Sequence, residues 1–241
     1  MIDLHSHILC DIDDGSKSLH ESVGLCKKAV QNDIFTIIAT PHFECGENVE
    51  LFLKKRNREF EILQNALIKE NINVEMYLGA EIFLNNDIFE DFDVQSLTIN
   101  NSRYLLCEFL LAPFDPDIAI MYTQEVIAKG LVPIIAHPER YITFYENQFI
   151  IDELAEIGAF FQVNMDSLAG AGGEELKDFA TRLVVEGTAD FIGTDAHSLN
   201  FRPNDILDKQ EFFDRRITKR MLTHCLNDAP LMVINNQKIT R

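Results

Sequence analysis

Apolar and polar residues follow two alternating patterns along this chain. Short, nearly continuous apolar runs predict strands buried on both faces, as in a parallel sheet covered by helices. The segments between them carry apolar residues at helical spacing and predict amphipathic helices. The predicted strands are one that begins almost at residue 1, followed by 34–39, 74–80, 104–109, 132–136, 159–163 and 190–193.

Seven helical segments separate or follow these strands. The first starts at Ser18, which can form a capping box with Glu21. The predicted helices are 18–31, 49–70, 117–129, 147–157, 174–186, 203–213 and 214–226, with an irregular excursion over 84–99. Strands that alternate with helices imply parallel crossovers of one hand, and therefore an α/β fold that is either a barrel or an open doubly wound sheet.

The length of 241 residues suits one large domain, which we expect to span 1–241. An apolar content of 46% excludes a disordered chain. No apolar run reaches the roughly 20 residues needed to cross a bilayer, so membrane insertion is not expected. The chain opens with a strand and not with a basic, apolar leader, which predicts a cytoplasmic protein.

The formal net charge of -18 opposes binding to nucleic acid, because the basic stretches Lys54–Arg58 and Arg215–Arg220 are short and mixed. The five cysteines are scattered and form no C-x-x-C pair, which excludes a disulfide framework and a structural zinc knuckle. None of them is followed six positions later by arginine. The cradle of thiolate phosphatases is therefore absent from the sequence.

Metal-ligating residue types occur at the carboxyl ends of the predicted strands. A period of two sends His5 and His7 to the same side of the first strand. The full set is His5, His7, His42, Glu81, Glu108, His137, Asp195 and His197. Active sites of parallel α/β folds lie at this edge, so the set predicts one metal site.

Each of these residues has a simpler interpretation when taken alone. Two histidines on one strand can be solvated, and Glu108 suits a salt bridge. Asp13, Asp14 and Gly15 read as a turn, in which Asp14 is a turn or helix-capping residue. The recurrence at successive strand ends is what favours a metal site. His20 and His224 lie outside the set and are expected on helix surfaces.

Six motifs, in order along the chain, give these residues a family context. The sequence resembles the polymerase and histidinol phosphatase (PHP) superfamily, and within it the bacterial capsule-associated protein-tyrosine phosphatases. The motifs are His5-Ser6-His7, Thr40-Pro41-His42, Gly79-Ala80-Glu81, Cys107-Glu108-Phe109, Ala136-His137-Pro138-Glu139-Arg140 and Thr194-Asp195-Ala196-His197; the resemblance to the capsule-associated group adds Ile12 to Gly15 and Gln162 to Gly170. The resemblance implies a distorted, seven-stranded (β/α) TIM-like barrel.

The same resemblance implies a cluster of two to three divalent ions, with manganese, iron or zinc as candidates. Arg140 and Arg202 would bind phosphate. The implied ligand sets are His5, His7, Glu81 and Asp195 for the first ion, Glu81, Glu108 and His137 for the second, and Asp14, His42 and His197 for the third. Cys10 and Asp11 replace a usual proline-glycine pair, and Thr194 replaces a usual serine; the first change bears on the loop that carries Asp14.

The implied function is a metal-dependent protein-tyrosine phosphatase acting on a bacterial tyrosine kinase that controls capsule or exopolysaccharide synthesis. Three divalent ions would outweigh the four carboxylates by two charges, which favours a phosphate dianion. Either His42 or a metal-bound water could donate the proton to the leaving oxygen, and the sequence does not decide between them. The alternatives are a small-molecule phosphomonoesterase, such as a histidinol phosphatase, and a regulatory metal-binding module without turnover. The sequence does not indicate the oligomeric state.

Overall fold

The computed structural model describes residues 1–205 and 210–240. Strands alternate with helices from the first residues onward. The strands are β1 (Ile2–Ser6), β2 (Thr36–Ala39), β3 (His42–Glu44), β4 (Glu75–Leu78), β5 (Glu81–Phe83), β6 (Tyr104–Glu108), β7 (Val132–Ala136), β8 (Phe160–Asn164) and β9 (Phe191–Gly193).

The helices lie mainly between these strands, and none in the described part is long and apolar enough to cross a membrane. They are α1 (Leu19–Gln31), α2 (Val49–Lys69), α3 (Pro116–Ala128), α4 (Ile142–Glu146), α5 (Phe149–Glu156), α6 (Met165–Ala169) and α7 (Glu174–Val185). Two C-terminal helices, Lys219–Thr223 and Ala229–Ile234, flank a π-helical turn, His224–Asp228. The predicted excursion contains three short 3-10 helices, Asn86–Phe89, Gln95–Leu97 and Ile99–Asn101.

The strands pair in parallel and occupy seven positions around a barrel. Two of these positions are split: β2 pairs with β4, and after a break β3 pairs with β5, with His42 opposite Glu81. The hydrogen-bonded order is β1-β2-β4 in one sheet and β3-β5-β6-β7-β8-β9 in the other. A single bridge between Ser6 and Ala196 links β1 to the end of β9. The distorted seven-stranded barrel is confirmed; the predicted strands 34–39 and 74–80 end at Ala39 and Leu78, and the short strands β3 and β5 that follow them were not predicted.

The predicted metal-ligating residues lie at the carboxyl end of the barrel, above an interior filled by apolar side chains. Leu106 and Glu108 are two residues apart and therefore share one face of β6. Leu106 belongs to a buried cluster with Leu4, Ile134 and Val233, the last of which comes from the C-terminal helix. Apolar side chains thus fill the barrel below its carboxyl end, and the larger core packs between the strands and the surrounding helices.

The C-terminal region differs most from its prediction. The helix predicted over 214–226 begins only at Lys219, because Asp214 Oδ1 accepts a hydrogen bond from the Arg216 amide at 2.8 Å and holds a turn there. Thr218 then caps the helix by accepting from the Met221 amide at 3.3 Å. The helix predicted near 203–213 overlaps residues 206–209, which lie outside the described residues.

Two smaller local expectations were also inexact. Ser18 caps α1 by accepting from the Glu21 amide at 3.2 Å, but the Glu21 carboxylate accepts from Lys17 instead of returning to Ser18. Only half of the predicted capping box therefore forms. The short helix α4 was not predicted.

A buried arginine stabilises the break between β4 and β5. Arg56, on α2, is 5% exposed, and its Nη1 donates to the Gly79 carbonyl at 2.9 Å. Its Nη2 donates to the Ser96 carbonyl at 3.2 Å. Gly79 lies between β4 and β5, directly before the residues that carry Glu81 into the centre. Burial lowers the pKa of Arg56 to about 10, so the guanidinium stays charged at neutral pH.

We predict that Arg56→Met destabilises the fold by about 1.5–3 kcal/mol, because a charge-assisted bond to a buried carbonyl is lost. Urea denaturation measures the change. Arg58→Met is the matched control, since the Arg58 side chain is 76% exposed and pairs only with Glu59. Equal stability of the two variants would show that Arg56 does not support the break.

Candidate metal centre

The predicted ligands converge at the carboxyl end of the barrel. Each lies within a strand of the barrel or in the loop that follows one. Apart from His137, which contacts Glu81 and Glu108 only in pairs, their ligand atoms form three overlapping groups, each within 4.8 Å across: His5, His7, Glu81 and Asp195; His7, Asp14, His42 and His197; and His42, Glu81 and Glu108.

The first group is fully buried at the base of the centre. His5 Nε2 lies 3.0 Å and His7 Nε2 lies 3.1 Å from Glu81 Oε2. The same two nitrogens lie 3.6 and 3.3 Å from Asp195 Oδ1. Two imidazoles from β1 therefore face one carboxylate from β5 and another from the loop after β9.

Glu81 occupies the middle of the whole arrangement. Its Oε1 lies 3.0 Å from His137 Nε2, and its Oε2 lies 3.2 Å from His42 Nδ1. Glu108 lies beside both rings, 3.5 Å from each. One carboxylate thus contacts four imidazoles and joins the first group to Glu108 and His137.

The second of these groups, with Asp14, His42 and His197 around His7, forms the open side of the centre. Asp14 Oδ1 lies 3.3 Å from His197 Nε2 and 3.6 Å from His42 Nε2. The Asp14 side chain is 68% exposed and that of His42 is 32% exposed, whereas His7 is fully buried. Solvent and ligands therefore reach the centre on the side of Asp14 and His42. His20 and His224 lie on exposed helical positions, as expected.

Asp13, read from the sequence as a turn residue, takes part in the centre. Its Oδ2 accepts from His7 Nδ1 at 2.8 Å and from the His42 amide at 2.9 Å, while its Oδ1 accepts from the Gly15 amide. A histidine that ligates a metal through one nitrogen usually donates from the other to a carboxylate or carbonyl. The need for such a partner beside His7 is the signal from which this role of Asp13 could have been predicted.

The loop that carries Asp13 and Asp14 folds back tightly on β1. The Ser16 amide donates to the His7 carbonyl at 3.0 Å, and a Cβ at Gly15 would lie only 2.1 Å from that carbonyl oxygen. Only glycine fits at this approach. Asp11 adopts a left-handed φ of 54°, which aspartate tolerates better than most residues. The substitution of Cys10 and Asp11 for the usual pair is therefore compatible with a tight loop.

Left-handed backbone recurs at the centre itself. His137, Asp195 and Arg202 have φ angles of 33°, 51° and 53°. Non-glycine residues in this region cost of order 1–3 kcal/mol each and persist where the surrounding structure holds them. The strain places these three side chains on one side of the barrel mouth.

Arg140 and Arg202 both reach Asp195. Arg140 Nη1 lies 3.3 Å from Asp195 Oδ2, and Arg202 Nη1 contacts the same oxygen. Their side chains are 30% and 17% exposed. Among the described residues, no group accepts a hydrogen bond from the buried Arg202 Nε. The two guanidinium groups therefore lie together at the mouth and retain donors that the protein does not use.

Electrostatics divides the carboxylates into two kinds. Burial alone would raise the pKa of Glu81, but His5 and His42 hold it well below its usual range. Burial and the charge of Glu81 instead raise the pKa of Glu108 to about 8. Without a bound cation, Glu108 therefore carries a proton at neutral pH while Glu81 is ionised.

The histidines divide in the same way. Burial opposes protonation of His5 and His7, but neighbouring carboxylates outweigh it and raise both pKa values. Burial and the charge of His7 lower the pKa of His197 to about 4. Without a metal, the raised pKa values favour protonated imidazoles at His5 and His7, in the positions where a cation would otherwise balance the carboxylates.

The residues fit divalent cations. Glu81 Oε2 has three imidazole nitrogens within 3.2 Å, yet among the described residues none makes a hydrogen bond to it. The ligand atoms in all three groups are imidazole nitrogens and carboxylate oxygens, which suit manganese, iron and zinc. No cysteine belongs to these groups, and burial raises the pKa of Cys26 to about 12 and that of Cys45 to about 11.

The fold and the centre together define a parallel α/β barrel hydrolase of the metal-dependent kind. The chain belongs to the family of capsular polysaccharide synthesis proteins CpsB/CapC, whose profile matches residues 1–235. The tyrosine-protein phosphatase YwqE of Bacillus subtilis is 34% identical over 100% of this chain and 94% of its own. The tyrosine-protein phosphatase CpsB of Streptococcus pneumoniae is 28% identical over 99% of this chain and 100% of its own.

Solved structures agree with this family. A crystal structure from a study of YwqE from Bacillus subtilis and CpsB from Streptococcus pneumoniae, described as unique metal-dependent tyrosine phosphatases, superposes with a TM-score of 0.86. It is 30% identical and covers 100% of this chain and 97% of its own. A lactonase from Listeria monocytogenes, with a TM-score of 0.60 and 11% identity over 98% of this chain and 95% of its own, shares the fold alone. The resemblance drawn from the motifs is confirmed.

Metal uptake should release protons. A cation must displace the protons on His5 and His7, whose pKa values are raised, and on Glu108, whose pKa is about 8. Affinity should therefore rise as the pH rises through the pKa of Glu108, about 8, because fewer protons then have to be displaced. Calorimetry in buffers of different ionisation enthalpy should detect more than one proton per chain. Binding without proton release, or tighter binding at acid pH, would contradict these pKa directions.

Proposed function

We propose that this chain is a metal-dependent protein-tyrosine phosphatase whose substrate is a tyrosine kinase of capsule or exopolysaccharide synthesis. The observation that carries the proposal is the buried group of imidazoles and carboxylates around Glu81, open to solvent beside two arginines. The names of the relatives supply the substrate class. We take the first ion to be held by His5, His7, Glu81 and Asp195, the second by Glu81, Glu108 and His137, and the third by Asp14, His42 and His197.

Divalent ions in such a centre supply positive charge to phosphoryl oxygens and activate water as the nucleophile. The protein side of the reaction is then mainly positioning. Arg140 and Arg202 share Asp195 Oδ2 as a common anchor, which keeps both guanidinium groups on one side of the mouth. The free Arg202 Nε can donate to a phosphoryl oxygen. We assign the phosphate clamp to these two side chains.

We assign His42 to ion binding and not to proton transfer. Its Nδ1 faces Glu81 and Glu108, and its Nε2 faces Asp14, so both ring nitrogens point towards carboxylates of the centre. Phenol has a pKa near 10, so a tyrosyl oxygen needs less protonation to depart than an alkyl oxygen does. Water is then the simpler proton source for the leaving group.

A cleft beside the centre carries aromatic and aliphatic side chains that suit an aromatic leaving group. It has a volume of about 680 Å³ and opens at His42 and Glu108. Its walls combine apolar side chains with charged ones, namely Phe43, Leu51 and Phe83 with Glu44, Glu47 and Lys55. A phenyl ring held against the apolar part of the wall would leave its phosphate directed towards the metal ligands.

Substrate comparison tests this proposal. We expect metal-loaded protein to hydrolyse a phosphotyrosine peptide with at least about ten-fold higher kcat/KM than a phosphoserine peptide or histidinol phosphate, because only the first has an aromatic leaving group. Phosphate release measures all three. A preference for histidinol phosphate would support the small-molecule alternative, and no turnover with full metal content would support a regulatory module.

The phosphate clamp gives a second test. Arg140→Lys and Arg202→Lys should keep the metals but lose about ten-fold in kcat/KM, because a charge-assisted bond is worth about 1.5–3 kcal/mol. Lysine keeps the charge but lacks the guanidinium fork. Inorganic phosphate should also inhibit both variants less well.

Arg103→Lys is the matched control for the clamp, since the exposed Arg103 side chain donates to Asn236 and to no other residue in the described ranges 1–205 and 210–240. Unchanged kcat/KM and unchanged phosphate inhibition in both clamp variants would remove Arg140 and Arg202 from phosphate binding. The metal assignment would be unaffected by that result.

A further inference from the structure

Two amide side chains lie directly behind the metal centre on β8. Gln162 and Asn164 are two residues apart and therefore point to the same face of the strand. They are 0% and 3% exposed. Neither was included among the candidate ligands, and neither belongs to the three ligand groups.

Their hydrogen bonds connect two candidate ligands, Asp195 and His5, in one continuous series. Asn164 Nδ2 lies 2.8 Å from Asp195 Oδ2, and Gln162 Nε2 lies 2.9 Å from Asn164 Oδ1. At the other end, Gln162 Oε1 lies 2.7 Å from His5 Nδ1. The path from Asp195 to His5 therefore contains three hydrogen bonds.

The donor and acceptor in each of these three hydrogen bonds are fixed by the carboxylate of Asp195 at one end of the series. An ionised carboxylate can only accept, so Asn164 must present its NH₂ group to Asp195 and its oxygen to Gln162. Gln162 must then donate from Nε2, which turns its own oxygen towards His5. An amide oxygen can only accept, so His5 must carry its proton on Nδ1.

We infer that Gln162 and Asn164 form an amide relay that fixes the tautomer of His5. With its proton on Nδ1, the ring keeps the lone pair of Nε2 directed at Glu81 and Asp195, where a metal would bind. The two amides are positioning residues that act through His5 and Asp195. This inference rests on the metal centre proposed above.

An amide suits the position beside His5 better than a carboxylate, because Glu81 and Asp195 already place two negative charges nearby. His7 has its Nδ1 held by the carboxylate of Asp13, at 2.8 Å. A second carboxylate beside His5 would add another buried negative charge next to Glu81 and Asp195. Gln162 holds the neighbouring ring without adding charge, and it cannot lose its hydrogen bond through titration.

Neighbouring residues leave room for the relay on one side and hold its strand in place on the other. A Cβ at Gly193 would lie 3.0 Å from both Gln162 Nε2 and His5 Cβ, which is tighter than ordinary contact. On the other side, Glu139 Oε1 accepts from the Asn164 amide at 2.9 Å. Glycine on β9 thus leaves room for the relay, and Glu139 fixes the end of β8 from which Asn164 projects.

Nitrogen-15 NMR of histidine-labelled, metal-free protein at alkaline pH tests the relay directly. Only seven histidines contribute signals, and those of His5 are identified by their loss in His5→Asn. We expect His5 to carry its proton on Nδ1 in the wild type. Gln162→Met removes the acceptor and should move the proton partly to Nε2. Wild-type protein with the His5 proton on Nε2 would overturn the inference, whatever the enzyme's activity.

Metal affinity provides a second readout. Gln162→Met and Asn164→Leu should each weaken binding of manganese or zinc by about 10–100-fold, as losses of partners behind metal ligands typically do. If the relay acts as one unit, the double variant should lose little more than either single variant. Fully additive losses would mean that the two amides act separately, and unchanged affinity would mean that they do not position the ligands.

Two further variants keep the test decisive. Gln162→Glu can still accept from His5 but cannot donate to Asn164, so it should retain the His5 tautomer and still lose metal affinity. Gln95→Met is the matched control, because Gln95 Nε2 also makes two hydrogen bonds, to Thr98 and Ser102, outside the relay. If Gln95→Met lost as much metal affinity, the losses in the relay variants would reflect general destabilisation of the protein and not the positioning of ligands. If wild-type protein bound no metal, the proposed function would fail while the tautomer test still stood.

Discussion

Buried negative charge is the constraint around which this barrel is organised. Glu81 and Asp195 lie fully inside the protein, where neighbouring imidazoles hold their pKa values low and are in turn favoured in the protonated form at His5 and His7. Removing ionised carboxylates from water is costly unless each is paired. Divalent cations relieve this cost without protons, which explains why histidine nitrogens and carboxylate oxygens face one another with so few hydrogen bonds between them. An acidic protein and a reaction centre made cationic by bound metal would therefore be compatible.

The irregular parts of the barrel serve this centre. Both breaks, between β2 and β3 and between β4 and β5, lie directly before a ligand, His42 in one case and Glu81 in the other. Arg56 satisfies the carbonyl exposed by the second break. Continuous strands would direct these side chains by simple alternation, whereas a break lets two neighbouring strands turn their last residues inward together. The distortion of the barrel is thus part of how the ligands are brought together.

Much of this was readable from the sequence, because strand ends and ligand chemistry obey local rules. Apolar runs located the seven strand positions, and His42, Glu81 and Asp195 followed from their places after those runs. The end of β2 before Thr40 and Pro41 was predicted, but the short strands β3 and β5 were not, and Gly79 and Ala80 hide the second break because they continue an apolar pattern. Asp13 was read as a turn residue, and Gln162 had no predicted role, because their functions depend on which ring lies opposite after folding. The late start of the last helices follows from the Asp214 turn, a local competition that periodicity does not detect.

The most direct test of the account is to restore metal to metal-free protein while measuring two quantities together. Manganese, iron(II) or zinc would be added stepwise, with bound metal per chain determined by mass spectrometry and turnover followed on a phosphotyrosine peptide. The account predicts negligible turnover without metal and turnover that rises with the number of ions bound, unaffected by prior alkylation of the cysteines. Full phosphotyrosine hydrolysis by metal-free protein, or inactivation by alkylation at saturating metal, would contradict it.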